Sequence, residues 1–153
     1  MENNLYLKLA IDKSQESFEK GFFPAGAVIV LNGKILSSKT SNSFPGYNHA
    51  EYNAIDEAFA KSNSDLSNAV LYTSMEPCLM CMAKAYWAGI RKIVFAIGKE
   101  SMNKKYYEGA YKNKNQIESL NEKMEFLQVR NMEKEALKIV ETWENSFKTS
   151  LKK

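Results

Sequence analysis

Short apolar runs alternate with helix-spaced segments along this chain, and that order leaves few architectures open. Residues 4 to 20 carry Leu5, Leu9 and Phe18 among polar residues, with Gly21 after them. They predict an amphipathic helix with a glycine stop, weakened in its middle by Ser14 and Ser17. AGAVIVL and KILSSKT then flank Asn32-Gly33. That pair is a strong hairpin signal, because both residues tolerate the positive φ of a tight turn. SNSFPGYN, residues 41 to 48, is turn chemistry. From Ala50 onward, Ala54, Ile55, Ala58 and Phe59 recur at helical spacing. SNSDLSN reads as a loop and AVLYT, residues 69 to 73, as a short buried strand. Pro77 opens a second helix, CLMCMAKAYWAG, which stops at Gly89. KIVFAIG and KMEFLQVR read as strands. Residues 133 to 148 place Leu137, Val140, Trp143 and Phe147 on one helical face. The polar, tyrosine-containing residues 99 to 121 are expected to form a helix or a lid.

Strands that alternate with helices argue for an α/β layered fold with some parallel pairing, and the opening hairpin makes the sheet mixed. A chain of 153 residues predicts one domain with a substantial core. The composition is 44% hydrophobic and 25% charged, ordinary for a globular protein. A net charge of +3 is too weak to argue for nucleic acid by itself. No run approaches the ~18 apolar residues of a membrane-spanning helix. MENNLYLKLAIDKS lacks a basic segment followed by an apolar one, so no signal peptide is expected. Two cysteines do not make a disulfide framework, and a reducing cytoplasm is the default expectation.

Those two cysteines, Cys78 and Cys81, stand in TSMEPCLMC at a helix start. A spacing of i, i+3 puts both sulfurs on one face. The free amides of the first turn favour thiolates, and paired thiolates suit zinc. A catalytic zinc takes three protein ligands and leaves one position open. The only histidine, His49, lies in YNHAEYNAIDEAFAKS, also at a helix start. It is the candidate third ligand. Glu51, two residues on, is the candidate proton carrier: a carboxylate beside the metal can take a proton from water and pass it to a leaving amine.

Each piece alone has a plainer reading. A single histidine is more often structural, a CxxC can be a redox pair, and H-x-E recurs by chance. Together, in this order, H-x-E with P-C-x-x-C is the signature of zinc nucleobase deaminases. A redox role would leave His49 and Glu51 without a use.

The quoted motifs resemble the cytidine deaminase-like superfamily over residues 20 to 98. PAGAVIVLNGKI resembles the first hairpin of its guanine, cytosine and tRNA adenosine deaminase group. NHAEYNAI resembles its first zinc helix and LYTSMEPCLMCMAKAYWAGIRKIVFA its second. The YWA after the cysteines is most similar to bacterial guanine deaminases. The resemblance implies a three-layer α-β-α sandwich around a mixed five-stranded sheet. It implies Zn2+ held by His49, Cys78 and Cys81, with Glu51 as catalytic residue, and a homodimer. It also implies base contacts from Asn42, from the Ala50 backbone N–H and from Trp87. Asn42 also reads as a plain turn residue, and Trp87 as a core aromatic. Ala25 stands where guanine deaminases tend to have phenylalanine, and Met75 and Leu79 replace the more usual Cys and Pro.

The expected partner is a small nucleobase or nucleoside, guanine first, with tRNA adenosine or cytosine as alternatives and no membrane. Lys104, Lys105, Tyr106, Tyr107, Tyr111, Lys112 and Lys114 interleave charge with aromatics, a pattern that can bind a nucleic acid strand. A solvated lysine face with tyrosines on the core edge fits the small net charge better. A non-catalytic zinc module is the competing class, and it gives Glu51 nothing to do.

Overall fold

The computed structural model describes residues 2–42 and 46–151, with the side chains of 147 and 149–151 outside that description. The order is α1 (Glu2–Glu19), β1 (Gly26–Leu31), β2 (Lys34–Thr40), α2 (Ala50–Lys61), β3 (Ala69–Met75), α3 (Leu79–Trp87), β4 (Lys92–Ile97), α4 (Asn113–Glu118), β5 (Glu125–Gln128) and α5 (Glu133–Leu151). The strands form one five-stranded sheet in the order β2-β1-β3-β4-β5. β1 pairs antiparallel with β2 and β3, whereas β3–β4 and β4–β5 are parallel. α1 and α5 pack together on the sheet, and α2 packs on β1 and β2 beside α3. The expected mixed sheet in a three-layer α-β-α sandwich is therefore present.

The hairpin forms where it was read. Asn32 and Gly33 both take positive φ, 51° and 75°, as a two-residue turn of this kind requires. β3 and β4 are buried on both faces, which explains their continuous apolar runs. In α5 the buried positions are Ala136, Val140 and Trp143, and Leu137 is half-buried. Phe147, expected on that face, lies outside the described side chains.

α1 runs from Glu2 to Glu19, close to the expected span, and Leu9 and Phe18 pack against the core as part of a wider inward face. Leu5 is exposed, while Leu7, Ala10, Ile11, Ser14 and Ser17 are buried. The small residues have a packing reason. A Cβ on Gly26 would stand 2.1 Å from the Ala10 carbonyl oxygen, so helix and strand touch backbone to backbone. Ser14 and Ser17 fit that close crossing by donating to the Ile11 and Phe23 carbonyls. The two serines thus fill the contact rather than weaken the helix.

Residues 99 to 121 are neither one helix nor a simple lid. Two 3-10 turns, Lys99–Ser101 and Lys104–Tyr106, lead into the short α4. This strap folds over the start of α3. Tyr107 donates to the Glu76 carbonyl at 2.7 Å, and Asn113 Nδ2 donates to Glu76 Oε1 at 3.0 Å and to the Pro77 carbonyl at 2.9 Å. The Tyr111 hydroxyl receives the Leu79 N–H at 3.1 Å. Tyrosines 106, 107 and 111 are half-buried while Lys104, Lys105, Lys112 and Lys114 are exposed.

Candidate metal centre and active site

Two helix starts meet at the end of β3. His49 is the N-cap of α2, and Cys78 the N-cap of α3. The sequence suggested a helix beginning at Pro77; it begins at Leu79, with Cys78 in extended conformation before it. An N-cap side chain usually accepts from the first-turn amides. Neither of these does so, and both are turned instead toward each other.

His49 Nδ1 lies 3.4 Å from Cys78 Sγ and 3.5 Å from Cys81 Sγ. One ligand atom from each of the three residues falls within 4.8 Å of the others. Zinc bonds of about 2.3 Å to sulfur and about 2.0 Å to nitrogen, spread tetrahedrally, set nitrogen–sulfur edges of roughly 3.5 Å. The donor set and its spacing therefore fit zinc. Cys81 is fully buried and Cys78 nearly so, which keeps competing water away from the sulfurs.

The three donors share protons. The His49 ring is raised to about 9, chiefly by its hydrogen bond with Cys78, against the opposing pull of burial. The Cys78 thiol is lowered to about 6 by its hydrogen bond from Cys81 and then by His49, with burial opposing. Cys81, deeper and acting as donor to Cys78, is pushed up. These shifts favour a thiolate on Cys78 facing a protonated His49 ring over two neutral groups. A cation bound by all three displaces the remaining protons.

Glu51 is buried beside this cluster, with Oε2 4.0 Å from Cys81 Sγ. Burial pushes its carboxyl up; His49 and Thr73 oppose. The Thr73 hydroxyl, fully buried, lies 2.8 Å from Glu51 Oε1 and 3.1 Å from the Met75 carbonyl. It holds Oε1, which leaves Oε2 on the sulfur side. Thr73 went unnoticed in the sequence. Its signal was a hydroxyl on the same strand face as Leu71 and Met75, in a run otherwise fit for the core.

A small cavity of about 30 Å³ opens over His49, Glu51 and Cys78. Its walls are Phe23, Ala25, Ser41, Met75, Glu76, Tyr106 and Tyr107. Ala25, which stands where guanine deaminases tend to have phenylalanine, is thus a wall. Of the expected base contacts, Ala50 begins α2 and is fully buried. Asn42 is exposed, and its backbone N–H donates to the Asn48 carbonyl at 3.1 Å. Trp87 is not brought to the cavity. It stands 83% exposed on α3, its ring edge-on to Tyr86.

A mixed sheet between helical layers, with two helix starts delivering one imidazole and two thiolates beside a buried carboxylate, defines a zinc-type deaminase scaffold. Residues 1–97 match the model of the cytidine and deoxycytidylate deaminase zinc-binding region, and the chain belongs to that family. It is 35% identical over 102 residues to a probable cytosine deaminase of Schizosaccharomyces pombe, covering 65% of this chain and 62% of that one. It is 38% identical over 101 residues to a tRNA-specific adenosine deaminase of Aquifex aeolicus, covering 63% and 66%. The chain thus spans less than two thirds of the length of either relative. A solved structure of guanine deaminase from Bacillus subtilis superposes with a TM-score of 0.61 at 27% identity, over 93% of both chains. Among the described residues, no helix is long and apolar enough to cross a membrane.

Proposed function

We propose that this chain is a zinc-dependent hydrolytic deaminase that removes an exocyclic amino group from a nucleobase or nucleoside, guanine first, and releases ammonia. The observation that carries the proposal is the buried Glu51 carboxylate set against the His49–Cys78–Cys81 cluster at the floor of a cavity. His49 Nδ1, Cys78 Sγ and Cys81 Sγ would hold the zinc, which when bound supplies Lewis-acid activation for attack by water. Glu51 takes a proton from the attacking water and delivers it to the amino group. The C–N bond breaks, a carbonyl remains on the ring, and ammonia leaves. Ala50 offers a first-turn N–H that has no acceptor within its own helix, and Asn42 completes the proposed base contacts.

Guanine comes first because the Tyr86-Trp87-Ala88 run after the cysteines is most similar to bacterial guanine deaminases. Curated relatives that are guanine, tRNA adenosine and cytosine deaminases all match over about 100 residues. Adenosine in tRNA and cytosine are the alternatives those relatives name. The proposal includes a homodimer, in which the exposed Trp87 of one copy is free to approach the other. One domain and a reducing cytoplasmic setting belong to the same proposal.

The test is ammonia release by zinc-loaded protein from guanine, guanosine, adenine, adenosine, cytosine, cytidine and a tRNA anticodon stem-loop. Turnover of guanine supports the full reading. Turnover of the stem-loop alone moves the substrate to tRNA and makes the exposed lysines of the strap its contacts. Silence on all, with one zinc per chain, overturns the catalytic reading.

Thr73 gives a narrower check. Thr73→Val removes the hydroxyl that holds Glu51 Oε1 but keeps the shape. Misplacing a reacting group lowers kcat by about 10- to 100-fold, and that loss is expected here with zinc per chain and KM little changed. Thr73→Ser should restore most of it. Equal activity in the valine variant would show that Glu51 needs no such support.

A further inference from the structure

We propose that Tyr107 decides how large a substrate the site admits, its ring being the partition between the cavity over Glu51 and a wide groove behind it. This rests on the deaminase reading above.

The cavity of about 30 Å³ has room for one or two waters. A heterocyclic base enters only if a wall gives way. Most walls cannot. Phe23, Ala25 and Met75 are buried core residues. Tyr106 is locked among rings, its centroid 4.9 Å from Phe23, and its hydroxyl donates to Glu144 at 2.7 Å. The Glu76 carboxylate is held by the Asn113 amide and by the Lys99 backbone N–H at 2.6 Å.

Tyr107 is different. It follows a 3-10 turn in extended conformation; among the described residues its hydroxyl makes one hydrogen bond, to the Glu76 carbonyl, and the Lys99 ammonium stands 5.3 Å from its ring centroid. Tyr107 and Glu76 also line a second space, a groove of about 700 Å³ walled by Phe95 and Phe126. That is ample space for a displaced ring, and a volume typical of ligand sites. The ring is thus the wall with somewhere to go. Its size sets how much of the substrate beyond the reacting edge of the base is accepted.

The experiment compares wild type with Tyr107→Phe and Tyr107→Ala, all zinc-loaded, on guanine and guanosine and on cytosine and cytidine. Loss of one pocket group shifts discrimination by about 10- to 200-fold. The alanine variant should raise the nucleoside-to-base ratio of kcat/KM by at least about tenfold. The phenylalanine variant, which keeps the ring but loses its hydrogen bond to Glu76, should shift the ratio less than the alanine variant. Tyr107→Leu carries the comparison if the alanine variant does not fold. An unchanged ratio in the shortened variants overturns the proposal, and so does a phenylalanine variant that behaves like alanine. The rate at which EDTA strips the zinc is an independent readout. It should rise in the alanine variant alone if the ring closes off the site. Were no variant to turn over any of these four compounds, their assignment as substrates would fail by itself. Faster stripping would still support the partition, and unchanged stripping would end it.

Discussion

Glu51→Gln should lower ammonia release by about 10³-fold or more, near the top of the range for general acid–base catalysis, while zinc per chain stays at the wild-type value. The substitution keeps the shape and keeps an oxygen for the Thr73 hydroxyl, which holds Oε1 from 2.8 Å. It removes only the capacity to accept a proton and give it back. Under the proposed mechanism one carboxylate does both, so a single change costs two proton transfers. Stability should move the other way. The carboxyl is 3% exposed and burial already pushes it toward its neutral form. A buried carboxylate costs free energy that a neutral amide of the same size does not. The glutamine variant should therefore melt no lower than wild type. Activity within tenfold of wild type would mean that the proton travels by another group. A lost metal would mean that Glu51 supports the ligand cluster instead of the chemistry.

The parts of this fold that were legible in the sequence are those whose cause is local. Asn32-Gly33 specifies its turn by backbone chemistry, and the turn forms. His49 and Cys78 were readable as helix starts because a turn or a proline precedes each. The metal cluster was readable because its three members belong to two motifs, and the fold only had to bring the motifs together. Less legible were the features that depend on distant contact. The inward face of α1 was only partly legible: Leu9 and Phe18 pack against the core, Leu5 does not, and Ser14 and Ser17 are buried on that face. Only the nearness of β1 makes small residues the right filling. The strap over residues 99–113 had no periodicity to read. Its order comes from Glu76, Pro77 and Leu79, which lie far back in the chain. Trp87 carried a family resemblance in its neighbours, but position in a motif did not place it at the cavity.

Of the described glycines, Gly26 should lose the most stability on substitution by alanine. The φ of Gly26 is not the reason, since only Gly21, Gly33 and Gly89 among the described glycines take positive φ. The reason is space. The added carbon would stand 2.1 Å from the Ala10 carbonyl oxygen, 2.6 Å from Lys13 Cβ and 2.6 Å from the Ser14 nitrogen. Two of these are backbone atoms of α1, so no side chain can swing aside. The helix must lift from the sheet, carrying the buried Leu7 and Ile11 with it. Overpacking costs about 1–3 kcal/mol, and contact with backbone puts this case at the top of that range. At about 3 kcal/mol the melting temperature falls by roughly 6–12 °C for a chain of this size. Gly33→Ala is the natural comparison. Gly33 sits at φ 75° with nothing within 4 Å of an added carbon, so its cost is conformational alone, about 1–2 kcal/mol. The site should feel only the first change. Ala25, next to Gly26, is a wall of the cavity, and the Gly26 N–H donates to Ser74 Oγ at 3.1 Å on the strand that also holds Thr73. Gly26→Ala should therefore lose activity at temperatures where it is still folded, while Gly33→Ala should not. Equal melting points for the two variants would show that α1 does not ride on β1 as closely as described.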